Sequence, residues 1–126
     1  MRRTVFAVLG ALALAGGSTL AHHSYAEFLT DQTVSIEGDV AELQFVNPHV
    51  LLKVQTIDSQ IYTAVWQAAY QLSRTGVNSS TLRVGDHVII SGSPARDAAN
   101  HTLSLVKDVQ RPVDGWRWSR QAWGRQ

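Results

Sequence analysis

A two-residue alternation constrains this chain more than anything else in it. Val34, Ile36, Gly38 and Val40 alternate with Ser35, Glu37 and Asp39. Successive side chains on a strand point to opposite faces, so such a stretch buries one face and wets the other, whereas a helix would scatter the same residues around its circumference. The alternation returns in Val50, Leu52, Val54 and Thr56, then in Ile61, Thr63 and Val65. It returns again in Val88 and Ile90 against His87 and Ile89, and in Leu103 and Leu105 on the way to Val109. Five strands are expected.

The residues between them say how the strands connect. Gly38 marks a kink or bulge, and a phase slip near Glu42 brings Leu43 and Phe45 into register with each other, as a strongly bent first strand requires. Asn47, Pro48 and His49 interrupt the pattern, because proline lacks a donor for the ladder and drives the preceding residue out of the helical region. Asp58 and Ser59 turn strand two into strand three as a hairpin. Ala68 to Arg74 is rich in helix formers with Gly76 just beyond, which predicts a short helix and its stop. Asn78 to Thr81 reads as a loop, Leu82 as a core plug, and Gly85 with Asp86 as the turn into strand four, His87 to Gly92. Ser93 to Asn100 is a polar loop before strand five. The order predicts an all-β protein, a small five-stranded OB-like barrel with one short helix between strands three and four. Ligands of such barrels favour the face of strands two and three and the loops Asn47 to His49 and Ser93 to Asn100.

The two ends have other characters. Arg2 and Arg3 precede an apolar stretch of 11 residues, Val5 to Ala15, and Thr19, Leu20 and Ala21 resemble a small-x-small cleavage site. Residues 1–21 therefore read as a secretory signal peptide, too short for the roughly 20 residues of a membrane-spanning helix. The expectation is a periplasmic or secreted protein that starts at His22 and has no transmembrane span after processing. Residues 22–110 would hold the barrel and an N-terminal histidine arm whose Tyr25 and Phe28 pack on a barrel edge. Residues 111–126 would be a tail in which Trp116, Trp118 and Trp123 interleave with Arg117, Arg120 and Arg125. Such a tail either stacks on bases or sits at a membrane interface, or else it frays or patches the barrel wall.

Charge and composition remove several function classes. The chain has 11 Lys and Arg against 10 Asp and Glu; without Arg2 and Arg3 the count is 9 against 10. A near-neutral chain lacks the basic footprint of a general nucleic-acid binder. The absence of cysteine excludes disulfides, thiolate metal sites, cysteine nucleophiles and a lipidated N-terminal cysteine. No nucleophile elbow, phosphate loop or clustered carboxylate pair is present, so the sequence predicts a binding protein and not an enzyme.

Two kinds of ligand fit the remaining polar residues. If export exposes His22, its α-amino group, with an ordinary pKa near ~8, and the imidazoles of His22 and His23, near ~6.5, are nitrogen donors available close to neutral pH. His49 from the loop after strand one would add a third nitrogen. Such a set suits Cu(II), Ni(II) or Zn(II), with copper favoured on affinity. Alternatively, these imidazoles only anchor the arm, and His49 only starts a strand. The other class is an envelope oligosaccharide, peptide or protein, gripped without metal by Asn47, Tyr62, Trp66 and Arg96. Asp97 would orient a histidine, or form a surface ion pair with Arg96; Asn47 would bind ligand or cap its turn.

The exported leader followed by His22, His23 and Ser24, the triplet Asn47, Pro48, His49, the run LRVGDHV from Leu82 to Val88, and GSPARD from Gly92 to Asp97 occur together in this order. With them the chain resembles the bacterial family labelled domain of unknown function 6152, over roughly Ala21 to Val109. The resemblance implies a small secreted or periplasmic β-barrel and brings no activity with it.

Overall fold

In the computed structural model, which describes residues 25–120, the first alternating stretch becomes β1 (Val34–Gln44). Ile36, Gly38 and Val40 turn inward and Ser35, Glu37 and Asp39 outward. β1 bends where the phase slip was expected: Val40 pairs with Val54 but Glu42 pairs with Lys53, leaving Ala41 as an extra residue. Gly38 allows β2 to cross closely here, since a Cβ at this position would lie 2.1 Å from the Gln55 carbonyl oxygen.

β2 (Leu51–Gln55) and β3 (Ile61–Val65) form the expected hairpin, with Leu51 opposite Val65 and Gln55 opposite Ile61. The helix α1 (Ala69–Ser73) follows, and Gly76, at φ +82°, adopts the left-handed conformation that ends it. β4 (His87–Pro94) runs two residues beyond the expected Gly92, so Ser93, assigned from sequence to a polar loop, is instead fully buried. β5 (Thr102–Arg111) comes next. Residues 116–119, expected within a separate tail, form β6 (Trp116–Ser119), which pairs with β5 from Asp108–Ser119 to Arg111–Trp116.

The hydrogen-bonded order is β3-β2-β1-β4-β5-β6, and a further β3–β5 pairing closes the first five strands into a barrel with β6 outside. Leu52, Ile90 and Leu103 from the strands, Leu72 from α1 and Leu82 from the loop after it are all fully buried inside. Each such side chain contributes about 1.5–3 kcal/mol relative to exposure. Ahead of β1, residues 25–27 make one 3-10 turn, and Phe28 is buried as it bridges to Ala95. No helix among the described residues is long and apolar enough to cross a membrane.

Candidate functional site

The barrel closes through its shortest pairing. β3 and β5 are parallel neighbours only at Thr63–Thr102 and Ala64–Leu103. Directly beyond, Val65 and Trp66 on one side and Ser104, Leu105 and Val106 on the other line a cavity of about 560 Å³. β5 is irregular at this point. Ser91 pairs with Asp108 and Ser93 with Ser104, so Gly92 alone faces Leu105, Val106 and Lys107. Leu105 holds φ +47°, a left-handed conformation that costs a non-glycine residue about 1–2 kcal/mol.

Trp66 is the most unusual member of the lining. It is 3% exposed, and its buried indole Nε1–H has no acceptor among the described residues. An indole nitrogen can only donate, and leaving a buried donor unpaired costs about 1–3 kcal/mol. Trp118 of β6 packs edge-on against it, with ring centroids 5.0 Å apart and planes at 77°. The two indoles differ in one respect: Trp118 Nε1–H donates to Thr75 Oγ at 3.2 Å.

His49 lines the same cavity, with Nδ1 3.2 Å from the Trp66 carbonyl oxygen. A carbonyl only accepts, so Nδ1 carries a proton and donates it, and the neutral ring keeps its lone pair on Nε2. Two charged groups also line it, alongside the polar Gln67, Gln71, Asn100 and Thr102. Glu27 sits on the 3-10 turn, its carbonyl accepting the Arg96 N–H at 2.9 Å. Arg120 lies one residue past the Asp108–Ser119 pair. Neither forms an ion pair among the described residues. Tyr25, the first described residue, also faces this space.

Of the residues singled out in the sequence, the cavity brings together His49 and Trp66. His22 and His23 lie outside the described residues, as does the proposed leader. Asn47 serves the loop after β1: its Oδ1 accepts the Tyr70 N–H at 3.2 Å, tying that loop to the start of α1. Tyr62 stacks on His101, centroids 4.8 Å apart, and is not part of the lining. Arg96 points its Nε–H to the Ala26 carbonyl at 2.6 Å, which holds the arm to the loop after β4. Asp97 accepts the Ala99 N–H at 3.0 Å within that loop and forms no ion pair with Arg96. Glu27 and Arg120 were not singled out for this site. No local signal marked Arg120, because the strand that brings the chain back to the barrel before it spans only Trp116–Ser119.

A second cluster lies on the outer face of β1. His87 Nδ1 is 2.8 Å from Asp39 Oδ1 and its Nε2 2.8 Å from Glu37 Oε1. Hydrogen bonds to Glu37 first and Asp39 second hold the imidazole above its ordinary pKa. From the sequence His87 read as an ordinary surface residue; its two carboxylate neighbours alternate on β1 but meet it only through the β1–β4 register. Among the described residues no group of three or more His, Asp or Glu is arranged to hold a metal ion.

A family model described as a family of unknown function, DUF6152, matches residues 11–104. No curated protein matches the chain.

Proposed function

The chain belongs to the family of unknown function DUF6152, and because that membership assigns no activity, we propose from the site itself that this is an exported binding protein. In this reading the barrel is an OB-like module, and its ligand occupies the cavity where β3 and β5 part. The observation that carries the reading is a cavity of about 560 Å³ lined by Trp66, His49, Glu27 and Arg120. That size lies in the range of small-molecule sites, roughly 300–1,000 Å³, and its lining mixes apolar side chains with polar ones such as Gln67, Gln71, Asn100 and Thr102.

The test is nuclear magnetic resonance of the processed protein with a set of neutral, anionic and cationic fragments. Saturable shifts should cluster at Trp66 Nε1–H, His49, Val65 and Leu105. Shifts confined to the Tyr62 and Gln55 region, or none at all, would sink the reading.

A second reading, copper binding by His22, His23 and His49, is favoured by the His49 hydrogen bond. Donation from Nδ1 to a backbone carbonyl fixes the tautomer that offers Nε2 to a metal, the usual arrangement behind a ligating imidazole. Tyr25 lines the same cavity as His49, and His23 is only two positions earlier in the chain, a span of up to about 7 Å. Adding one residue ahead of His22, or making His49→Gln, should weaken Cu(II) binding by at least about tenfold. Unchanged affinity in both variants rules the metal site out.

A further inference from the structure

We infer that the barrel end opposite the β3–β5 cavity is a docking surface for a basic segment of a protein partner. A lysine or arginine side chain of that segment lies in a groove beside Ile57, with its charge on Glu37 and Asp39. The surface is independent of any ligand in the cavity.

The three most exposed large apolar side chains among the described residues share this end. Ile57 is fully exposed, Val113 86% and Val84 72%. Ile57 lies two positions past Gln55, whose partner Asp39 also pairs with His87 at the start of β4. Val84 precedes His87 by three positions, and the neighbouring Gly85 N–H donates to the Val40 carbonyl at 2.8 Å. Val113 follows the end of β5, where Arg111 bonds to Asp86. The cavity belongs to the other end of the β2–β3 hairpin, since its lining residue Val65 pairs with Leu51, whereas Gln55 pairs with Ile61.

An aspartate ties together each turn that carries one of these side chains. Asp58 accepts the Thr56 hydroxyl, Asp86 the Arg83 N–H at 2.9 Å, and Asp114 the Trp116 N–H at 3.1 Å. Turns held in this way present Ile57, Val84 and Val113 with little left to order on binding.

Between Ile57 and His87 runs a groove of about 580 Å³, lined also by Glu37, Asp39 and Thr56. His87 engages Oε1 of Glu37 and Oδ1 of Asp39, and those side chains are 61% and 65% exposed. Their second oxygens are open to a cationic head, while Ile57 offers a wall to its methylene stem.

Charge selects the partner. Glu37, Asp39, Asp58, Asp86 and Asp114 stand against Arg83 and Arg111 at this end, so acid is in excess even with His87 protonated. An anionic lipid surface would be repelled, and a second copy meeting this face by twofold symmetry would set acid on acid. A basic segment with apolar residues matches both the charge and the exposed aliphatic tips.

The test titrates the processed full chain, isotope-labelled for nuclear magnetic resonance, with an octapeptide of alternating lysine and leucine. Amide shifts should saturate and centre on Ile57, Val84, His87 and Val113. The double variant Glu37→Gln, Asp39→Asn should weaken the peptide by at least about tenfold and Ile57→Ser by at least about threefold. All three positions are exposed, so the core stays intact. A glutamate and leucine octapeptide should not bind, and phosphatidylcholine vesicles should leave these residues unmoved. If a lysine and serine octapeptide binds as well as the leucine one and Ile57→Ser changes nothing, only unspecific charge attraction is left and the inference is overturned. Peptide shifts elsewhere on the barrel, no peptide shifts, or shifts at these residues caused by vesicles instead would overturn it too.

Discussion

The indole of Trp118 stands edge-on to that of Trp66 at 5.0 Å between centroids, so β6, which lies outside the barrel, supports a residue that lines the cavity where β3 and β5 part. Trp118 is 4% exposed and its Nε1–H donates to Thr75 Oγ beside α1. Replacing it removes a buried aromatic contact and a hydrogen bond together. Trp118→Ala should therefore cost about 3–5 kcal/mol in urea unfolding. Trp118→Phe should cost clearly less, because a ring still meets Trp66. A loss under about 1 kcal/mol for the alanine variant would show that β6 is an ornament on the barrel wall.

Two glycine positions should respond differently to the same substitution. A Cβ at Gly38 would lie 2.1 Å from the Gln55 carbonyl oxygen and 2.7 Å from its carbon. Both are backbone atoms, so β1 and β2 must separate where the bend is tightest. Gly38→Ala should destabilise by about 3 kcal/mol or more, at or beyond the upper end of overpacking effects. Gly76→Ala meets nothing within 4 Å and suffers only its φ of +82°, which predicts about 1–2 kcal/mol. Chemical denaturation of both variants checks the order, and equal losses would contradict the close approach.

Which parts of this were legible in the sequence follows from the range of the forces involved. Ile61–Val65 was expected as a strand and is one, although it buries Ala64, with Tyr62 packed on the core, and leaves Ile61 of the expected apolar face exposed. The β1 bulge at Ala41 was visible as a phase slip next to Gly38, since an extra residue reverses the facing of everything after it. β6 was hidden because Trp116–Ser119 spans four residues, too few to establish a period inside an arginine-rich segment. The cavity could not be read at all. It depends on Thr63 pairing with Thr102, a long-range parallel contact that leaves no local mark. Likewise, His87 acquires its partners Glu37 and Asp39 from strand register, not from neighbours in the chain.

The His87 cluster predicts a pH dependence with a definite sign. Glu37, then Asp39, raises the imidazole above its ordinary value of 6.5. A group whose folded pKa exceeds its unfolded one contributes stability that is fully present below the unfolded pKa and fades as pH rises through the folded value. The protein should thus lose a small increment of stability on going from pH 6 toward pH 8. The increment is small because His87 is half exposed and solvent screens the pair. His87→Gln should abolish this part of the profile, and salt should reduce it in the wild type. Thermal unfolding against pH, with the His87 ring followed by nuclear magnetic resonance, measures both. A His87 resonance that titrates at or below the ordinary value would refute the clamp.

Arg111 should control the response to acid. One guanidinium donates to the Thr81 carbonyl at 2.7 Å, to Asp86 Oδ2 at 2.9 Å and to Asp114 Oδ2 at 2.9 Å. It therefore joins the loop before β4 to the turn between β5 and β6. Its side chain is 18% exposed and that of Asp86 25%, so truncation leaves a largely buried carboxylate short of a partner. Arg111→Ala should cost about 2 kcal/mol, and Arg111→Lys should recover only part, because an ammonium cannot reach as many acceptors in one plane. The Arg83 N–H first, then Arg111, holds Asp86 below its ordinary 3.8, while Arg111 chiefly does so for Asp114. Depressed carboxylates contribute stability that is present above the unfolded value and lost as pH falls through the folded one. Wild-type stability should accordingly decline below about pH 4, and the decline should be shallower in Arg111→Ala, which has already lost the guanidinium's share. Because the Arg83 N–H still reaches Asp86 at 2.9 Å in that variant, some acid sensitivity must survive; an identical acid limb in both proteins would show that Arg111 does not hold these carboxylates.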